Sequence, residues 1–347
     1  MSRPPKWAHV RGRHPDPDPD SGTLTNFMCL PVSFNLLWKT PVGSDSQFSN
    51  STAEHLRRQT SLEKPAHVSG FGYWSGQDVT IEFRPAPTNS GIVFVLEKQA
   101  NFHRIQVDIG NRVEMPRRTN LAHYGASVQM VEHVVASLAG LHIDNCEIWT
   151  SASEMPGCDG SSLPFVGALL EAGIVQQNDW CEPLVISETV RVGDGDSWVL
   201  AEPLAANDPS GSLILSYELD YGTDTAIGSQ SLELNVDPDS FLEELAAART
   251  FILESEADWL QSQGLGTRVT HQDLLVFGKE GPLDNPLRFP DECVRHKTLD
   301  LLGDLALAGR QISGRITASR SGHQLNAALV RGLIKEHTSP EKVLRAA

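Results

Sequence analysis

Val294-Arg295-His296-Lys297-Thr298-Leu299-Asp300-Leu301-Leu302-Gly303-Asp304 is the stretch from which the rest of the chain can be read. It reads as a helix: Leu299, Leu302, Leu305 and Leu307 supply an apolar face, and no proline interrupts it. Positions four apart share one face of a helix, so His296, Asp300 and Asp304 line up on a single side. A neutral imidazole beside a carboxylate is half of a catalytic zinc site, which takes three protein ligands and leaves a fourth position to water. Taken alone, the same spacing also describes a surface helix with a His-Asp hydrogen bond.

Further candidates lie elsewhere. Glu132-His133 falls inside the apolar run from Met130 to Leu138, where a charged pair is costly to bury without partners. A ligand histidine beside a carboxylate suits water activation, because the carboxylate takes the proton of the attacking water. Ser319-Arg320-Ser321-Gly322-His323 breaks regular structure just before a histidine, which puts that ring at the mouth of a site. Asp159-Gly160-Ser161-Ser162 reads as a tight turn into a helix with Pro164 in its first turn, placed to support Glu132 and His133. Taken singly, each of these also has a purely structural reading. The chain has no GxGxxG, Walker or GxSxG motif, which removes the usual support for dinucleotide, P-loop and serine-hydrolase chemistry.

Composition bounds the rest. The 347 residues carry a formal net charge of -16, which argues against a general nucleic-acid binder. The five cysteines (Cys29, Cys146, Cys158, Cys181 and Cys293) form no CxxC, so neither a disulfide framework nor a cysteine zinc knuckle is expected, and a reducing cytoplasm fits. No run approaches the length of a membrane span. Residues 1–55, with the repeat Pro15-Asp16-Pro17-Asp18-Pro19-Asp20, are expected to form a disordered extension.

Strand patterns are expected at Val79–Phe83, Ile92–Leu96 and Ile143–Thr150, with helices over Val128–Leu141 and Leu163–Ala172. After a polar connection at Ile174–Glu182, strands are expected at Leu184–Val190, Trp198–Glu202, Leu213–Leu219 and Ser231–Val236, then helices from Phe241 to Ala248, around Trp259, near Asp291 and over Leu325–Glu336. Strands followed by helices in each half indicate an α+β protein with two domains of similar plan, at residues 56–178 and 179–340, and a tail at 341–347.

Val131-Glu132-His133, Glu154-x-Pro156-x-x-Asp159-Gly160-Ser161, Ala248-Arg249-Thr250-Phe251, the helix above and Ser321-Gly322-His323-x-Leu325-Asn326 follow one another in order. Together they resemble the UDP-3-O-acyl-N-acetylglucosamine deacetylase family, the zinc amidases of lipid A biosynthesis, over about His55 to Glu336. The resemblance implies one zinc ion per chain on His133, His296 and Asp300, with Glu132 as general base. It implies His323 as general acid supported by Asp304, Thr250 at the oxyanion, and a substrate contact at Lys297; Phe251 and Arg320 are expected as further substrate contacts. It further implies two domains packed through their helices with the metal between them, and an acyl-chain passage built from the insert around Ile252–Val276. Cations at Arg295, Lys297 and Arg320 are expected near the diphosphate of a UDP-linked acylated amino sugar. A monomer is expected, with neither a nucleic-acid partner nor a transmembrane segment.

One position departs from the family: Trp74 stands in the turn Gly70-Phe71-Gly72-Tyr73-Trp74-Ser75-Gly76, where the family carries histidine. Trp offers an indole N–H and a stacking face but no ligand or proton carrier. That leaves two further readings, a deacetylase of another N-acetylated amino sugar and a silent zinc protein that binds a nucleotide sugar. The presence of both Glu132 and His323 speaks against the silent one.

Overall fold

A computed structural model describes residues 56–98 and 101–338; the expected extension at residues 1–55 and the tail at 341–347 lie outside them. The chain opens with β1 (Arg58–Leu62) and continues through β2 (Ala66–Phe71), β3 (Asp78–Pro85), β4 (Ile92–Lys98) and β5 (Asn101–Gln106). Three short strands follow: β6 (Arg112–Val113), β7 (Asn120–His123) and β8 (Ala126–Gln129). The first half closes with α1 (Glu132–Gly140), β9 (Cys146–Thr150) and α2 (Leu163–Ala172). β10 (Ile174–Trp180) returns antiparallel along β1, and β11 (Leu184–Val185) leads into the second half.

There β12 (Val190–Asp194), β13 (Ser197–Glu202), β14 (Leu213–Asp220) and β15 (Ser229–Asn235) come first. A single helical turn, α3 (Pro238–Ser240), runs into a π-helical turn at Phe241–Leu245. β16 (Phe251–Leu253), α4 (Glu254–Ser262) and β17 (Leu275–Phe277) form an insert before α5 (Glu292–Leu305), β18 (Ile312–Ser319) and α6 (His323–His337).

The two main sheets repeat one another. The first has the order β2-β3-β9-β4-β5 and the second contains β12-β13-β18-β14-β15. The strand that follows α1 in the first half and α5 in the second enters the middle of its sheet, parallel to one neighbour and antiparallel to the other. Each half carries its extra segment at the same place, between its fourth sheet strand and its first long helix. The similar plan inferred from element order is therefore present strand for strand.

The local reasons are ordinary. In β3, Val79, Ile81 and Phe83 alternate inward while their neighbours face out. α2 carries Pro164 in its first turn and stops at Gly173, whose φ of 77° suits a residue without a Cβ. The helices of both halves pack between the sheets, and one continuous buried cluster runs from Leu62 to Leu333.

Several expectations need adjustment; of the strand expected at Leu184–Val190, only Leu184–Val185 and Val190 are strand. The apolar run from Val128 is strand as far as Gln129; Met130 then turns the chain with a left-handed φ of 59°, and the helix starts at Glu132. Ile174–Trp180 is a strand, although its exposed and half-buried side chains give little apolar signal. Phe241–Ala248 holds only the π-helical turn. β18, the central strand of the second sheet, was not expected, because Ser313, Gly314, Arg315 and Thr317 dilute its apolar pattern.

Candidate metal centre and acid-base pair

The site forms where α1 meets α5. At Gly303 of α5 an added Cβ would stand 2.3 Å from the Glu132 carbonyl oxygen of α1. Only glycine permits that approach, and it brings the Glu132-His133 end of α1 against the His296-Asp300-Asp304 face of α5.

Both helices are anchored. The buried Arg249 guanidinium donates to Glu292, in the first turn of α5, at 2.7 and 3.0 Å, and to the Pro286 carbonyl at 2.8 Å. On α1 the His133 carbonyl accepts from Ser137 at 2.8 Å and from Ser162 at 3.0 Å, so the Asp159-to-Ser162 turn does reach the backbone of that histidine. Thr250 is held by its backbone, donating to Gly160 at 2.8 Å and accepting from Leu275 at 3.0 Å.

His133, His296 and Asp300 are all buried, and their ligand atoms lie within 4.8 Å of one another. Asp300 Oδ1 is 3.5 Å from His133 Nε2 and 3.4 Å from His296 Nε2. Bonds of about 2.0–2.1 Å at tetrahedral angles would place ligand atoms roughly 3.3 Å apart. The two Asp300 edges fit such an ion, and among the described residues this is the group of three that could hold one. His296 Nδ1 faces the Ala248 carbonyl at 3.1 Å, which fixes the ring and turns Nε2 to the centre. Burial holds the His296 imidazole down to about 3 despite the pull of Asp300, so it is neutral, as a ligand must be. Asp300 stays well below the usual carboxylate range: its burial works the other way, but the Lys297 ammonium outweighs it. Lys297 Nζ donates to Asp300 Oδ2 at 2.8 Å, leaving Oδ1 to the centre. Burial alone would lower Lys297, yet Asp300 holds it above its ordinary value.

On one side of the centre sits Glu132, 4% exposed, with Oε2 accepting the Thr119 N–H at 2.9 Å. Burial raises its pKa against the opposing influence of His323 and His133, which suits a group that must accept a proton. On the other side His323 Nδ1 lies 2.8 Å from Asp304 Oδ2. Asp304 is fully buried and also accepts from Thr119 Oγ1 at 2.5 Å and Asn326 Nδ2 at 2.8 Å. Burial by itself would lower His323; Asp304 overcomes it and lifts the imidazole to about 9. His323 is therefore a cation at neutral pH, with Nε2 left for a substrate.

The remaining expected residues divide. Phe251 stacks edge-on to His296 and to Tyr221, with ring centroids 6.2 and 5.6 Å apart, and so walls the site on the side of the insert. Arg320 is already paired with Asp220 and Asp196, and Arg295 with Asp291 and Glu244. Trp74 offers its ring to Arg118, whose Cζ is 4.4 Å from the centroid. The Trp74 and Ser75 amides both donate to the buried Glu154 carboxylate at 2.8 Å. Thr119 and Asn326 were not singled out, though they hold the acid-base pair together. Asn326 lay in a recognised motif without a role, whereas Thr119 sits between β6 and β7 in a segment with no pattern.

Comparison with known proteins agrees with this geometry. The profile of the UDP-3-O-acyl N-acetylglycosamine deacetylase family matches residues 59–335. A protein of that name, UDP-3-O-acyl-N-acetylglucosamine deacetylase, from Anaeromyxobacter sp. is 37% identical over 290 residues, covering 80% of this chain and 89% of that protein. The proteins of the same name from Geobacter sp. and Haemophilus influenzae are 36% and 35% identical, covering 80% and 82% of this chain and 89% and 93% of their own. The match begins in β1, ends in α6 and takes in both helices that build the centre, so the chain belongs to the UDP-3-O-acyl N-acetylglycosamine deacetylase family.

Proposed function

We propose that this protein hydrolyses the N-acetyl group of UDP-3-O-acyl-N-acetylglucosamine to acetate and the free amine, a step of lipid A biosynthesis, in the cytoplasm with one zinc ion per chain. The observation that carries this reading is the buried His133-His296-Asp300 group, with a proton acceptor on one side and a charged imidazole on the other. A zinc ion held by that group supplies Lewis-acid activation of water and of the acetyl carbonyl.

The chain's own residues do the rest. Glu132 takes the proton of the attacking water on the carboxylate oxygen not held by Thr119. Thr250 donates to the oxygen on which negative charge develops. His323, fixed through Nδ1 by Asp304, gives its Nε2 proton to the departing nitrogen, so the amine leaves neutral. Lys297 contacts the diphosphate side of the substrate, Arg320 joins it by exchanging Asp220 and Asp196 for phosphate oxygens, and Phe251 with the insert at β16, α4 and β17 borders the acyl chain. We place the domain boundary after β10, between Trp180 and β11, because a cut at 178 and 179 would split the strand that pairs with β1.

The test is acetate release from the acylated UDP-sugar with zinc content measured on the same sample. About one zinc per chain and turnover that falls on the order of 10²–10⁴-fold in Glu132→Ala are expected. Full turnover in Glu132→Ala, or equal use of substrate lacking the 3-O-acyl group, would overturn the assignment.

A further inference from the structure

Arg118 stands next to the acid-base pair without a polar partner of its own. The residue after it, Thr119, gives its amide to Glu132 and its hydroxyl to Asp304. The Arg118 guanidinium lies over the Trp74 ring, with Cζ 4.4 Å from the centroid, and among the described residues it makes no hydrogen bond or ion pair. Nε and Nη1 are sealed from solvent, and Nη2 is the nitrogen left open. A charged donor sealed away without an acceptor costs stability, so a native structure that keeps one calls for a reason.

The carboxylates near it are engaged elsewhere. Glu154 and Glu132 both act on the guanidinium, but neither comes within ion-pair distance. Glu154 accepts the Trp74 amide on one oxygen and the Ser75 amide on the other, each at 2.8 Å. Glu132 holds the Thr119 amide on Oε2 and keeps its other oxygen for the attacking water. With two buried carboxylates acting on it, this nitrogen is a poor place for the diphosphate, which has Lys297. It suits an uncharged carbonyl oxygen.

The place of Arg118 in the fold says which one. Arg117 has a left-handed φ of 63°, so the chain turns there and the two arginines part. Arg117 reaches Glu256 on α4 at 2.7 Å, whereas Arg118 covers the turn at Trp74. That turn is tied to the same insert: the Tyr73 hydroxyl donates to the Asp273 carbonyl, and Arg268 donates to the Gly76 carbonyl at 3.1 Å. Arg118 therefore stands between the proton acceptor Glu132 and the insert that borders the acyl chain. In the substrate, the carbonyl between the reacting acetamide and the body of that chain belongs to the 3-O-ester.

We infer that Arg118, held on the Trp74 ring, is a specificity-determining residue that donates from Nη2 to the carbonyl oxygen of the ester joining the acyl chain to the sugar. This rests on the reaction and the acyl-chain path proposed above, and it adds a group that tells an acylated sugar from an unacylated one.

The test is acetate release by the zinc-loaded, full-length protein from two compounds: the UDP-sugar with its 3-O-acyl ester, and the ether in which a methylene replaces the ester carbonyl. In the parent the ether should have a kcat/KM about 10–100-fold lower, mainly through KM. Arg118→Met should lose a similar factor on the ester and treat ester and ether alike within about twofold. Its Tm should equal or exceed that of the parent, because two sealed donors without acceptors are gone. Trp74→Leu removes the ring that holds the guanidinium and should cut the preference for the ester by about threefold or more, which keeps the comparison open should Arg118→Met not fold. The inference is overturned if the parent treats ester and ether alike, or if either variant keeps the preference of the parent. No acetate from either compound with the parent would overturn the proposed reaction, and this inference with it.

Discussion

Asp304 accepts hydrogen bonds from Thr119, between β6 and β7, and from His323 and Asn326 in the first turn of α6, and is sealed from water. Its charge is what keeps His323 protonated, so Asp304→Asn should lower the pKa of that imidazole. In the parent, the basic limb of kcat/KM should fall as pH rises through about 9. In Asp304→Asn the limb should move to lower pH and the rate at neutral pH should drop by roughly 10-fold or more. Zinc content should not change. A limb that stays in place at matched zinc content would dismiss the Asp304–His323 pairing. The same shift enters stability with a definite sign. The folded value, about 9, lies above the ordinary histidine value near 6.5, so the contribution is complete below about 6.5 and disappears as pH rises through about 9. His296→Ala is a separate test, because two remaining ligands hold zinc poorly. That variant should purify with well under one equivalent, and a full equivalent by atomic absorption would remove His296 from the site.

At the scale of elements, the contact of α1 with α5 rests on one missing methyl group. Gly303→Ala would push a Cβ to 2.3 Å from a backbone oxygen that cannot rotate away, unlike the end of a flexible side chain. The helices must separate, at a cost of about 1–3 kcal/mol or more, and His133 must move relative to His296 and Asp300. A lower Tm together with weaker zinc retention is expected; unchanged values of both would mean that the helices are not in contact there. This junction also shows what the chain reveals before it is folded. His296, Asp300 and Asp304 declare themselves because a helix repeats every four residues on one face, and Leu163–Ala172 because Pro164 and Gly173 punctuate it. Thr119 is silent because its function comes from meeting α1, α5 and α6 across the fold, which no local spacing encodes. β18 is silent for a different reason: a strand with neighbours on both sides needs backbone pairing more than a continuous apolar run, so Ser, Gly, Arg and Thr are tolerated in it. The motifs quoted from Val131 to Asn326 carried more of the site than periodicity did, since each spans residues whose roles depend on long-range contact.

At the scale of the molecule, two halves of one plan share a single core and, by their helices, one ligand group. His133 comes from the first half, and His296 and Asp300 come from the second. An ion bound there ties the halves together, so its binding free energy should appear as stability of the whole rather than of α5 alone. At free zinc a hundredfold above its Kd the gain is about 2.7 kcal/mol, and for a chain of this size that is a rise in Tm of roughly 4 °C. Unfolding followed by far-ultraviolet circular dichroism with and without chelator should show that rise in the parent and its loss in His296→Ala. Amide exchange is the sharper measurement, because it reports each helix separately. On adding zinc, protection should increase in α1 and α5 together, and in the parts of both sheets that pack on them. Protection that grew only in α5 would mean that His133 does not share the ion, and that the two halves are joined by their core alone.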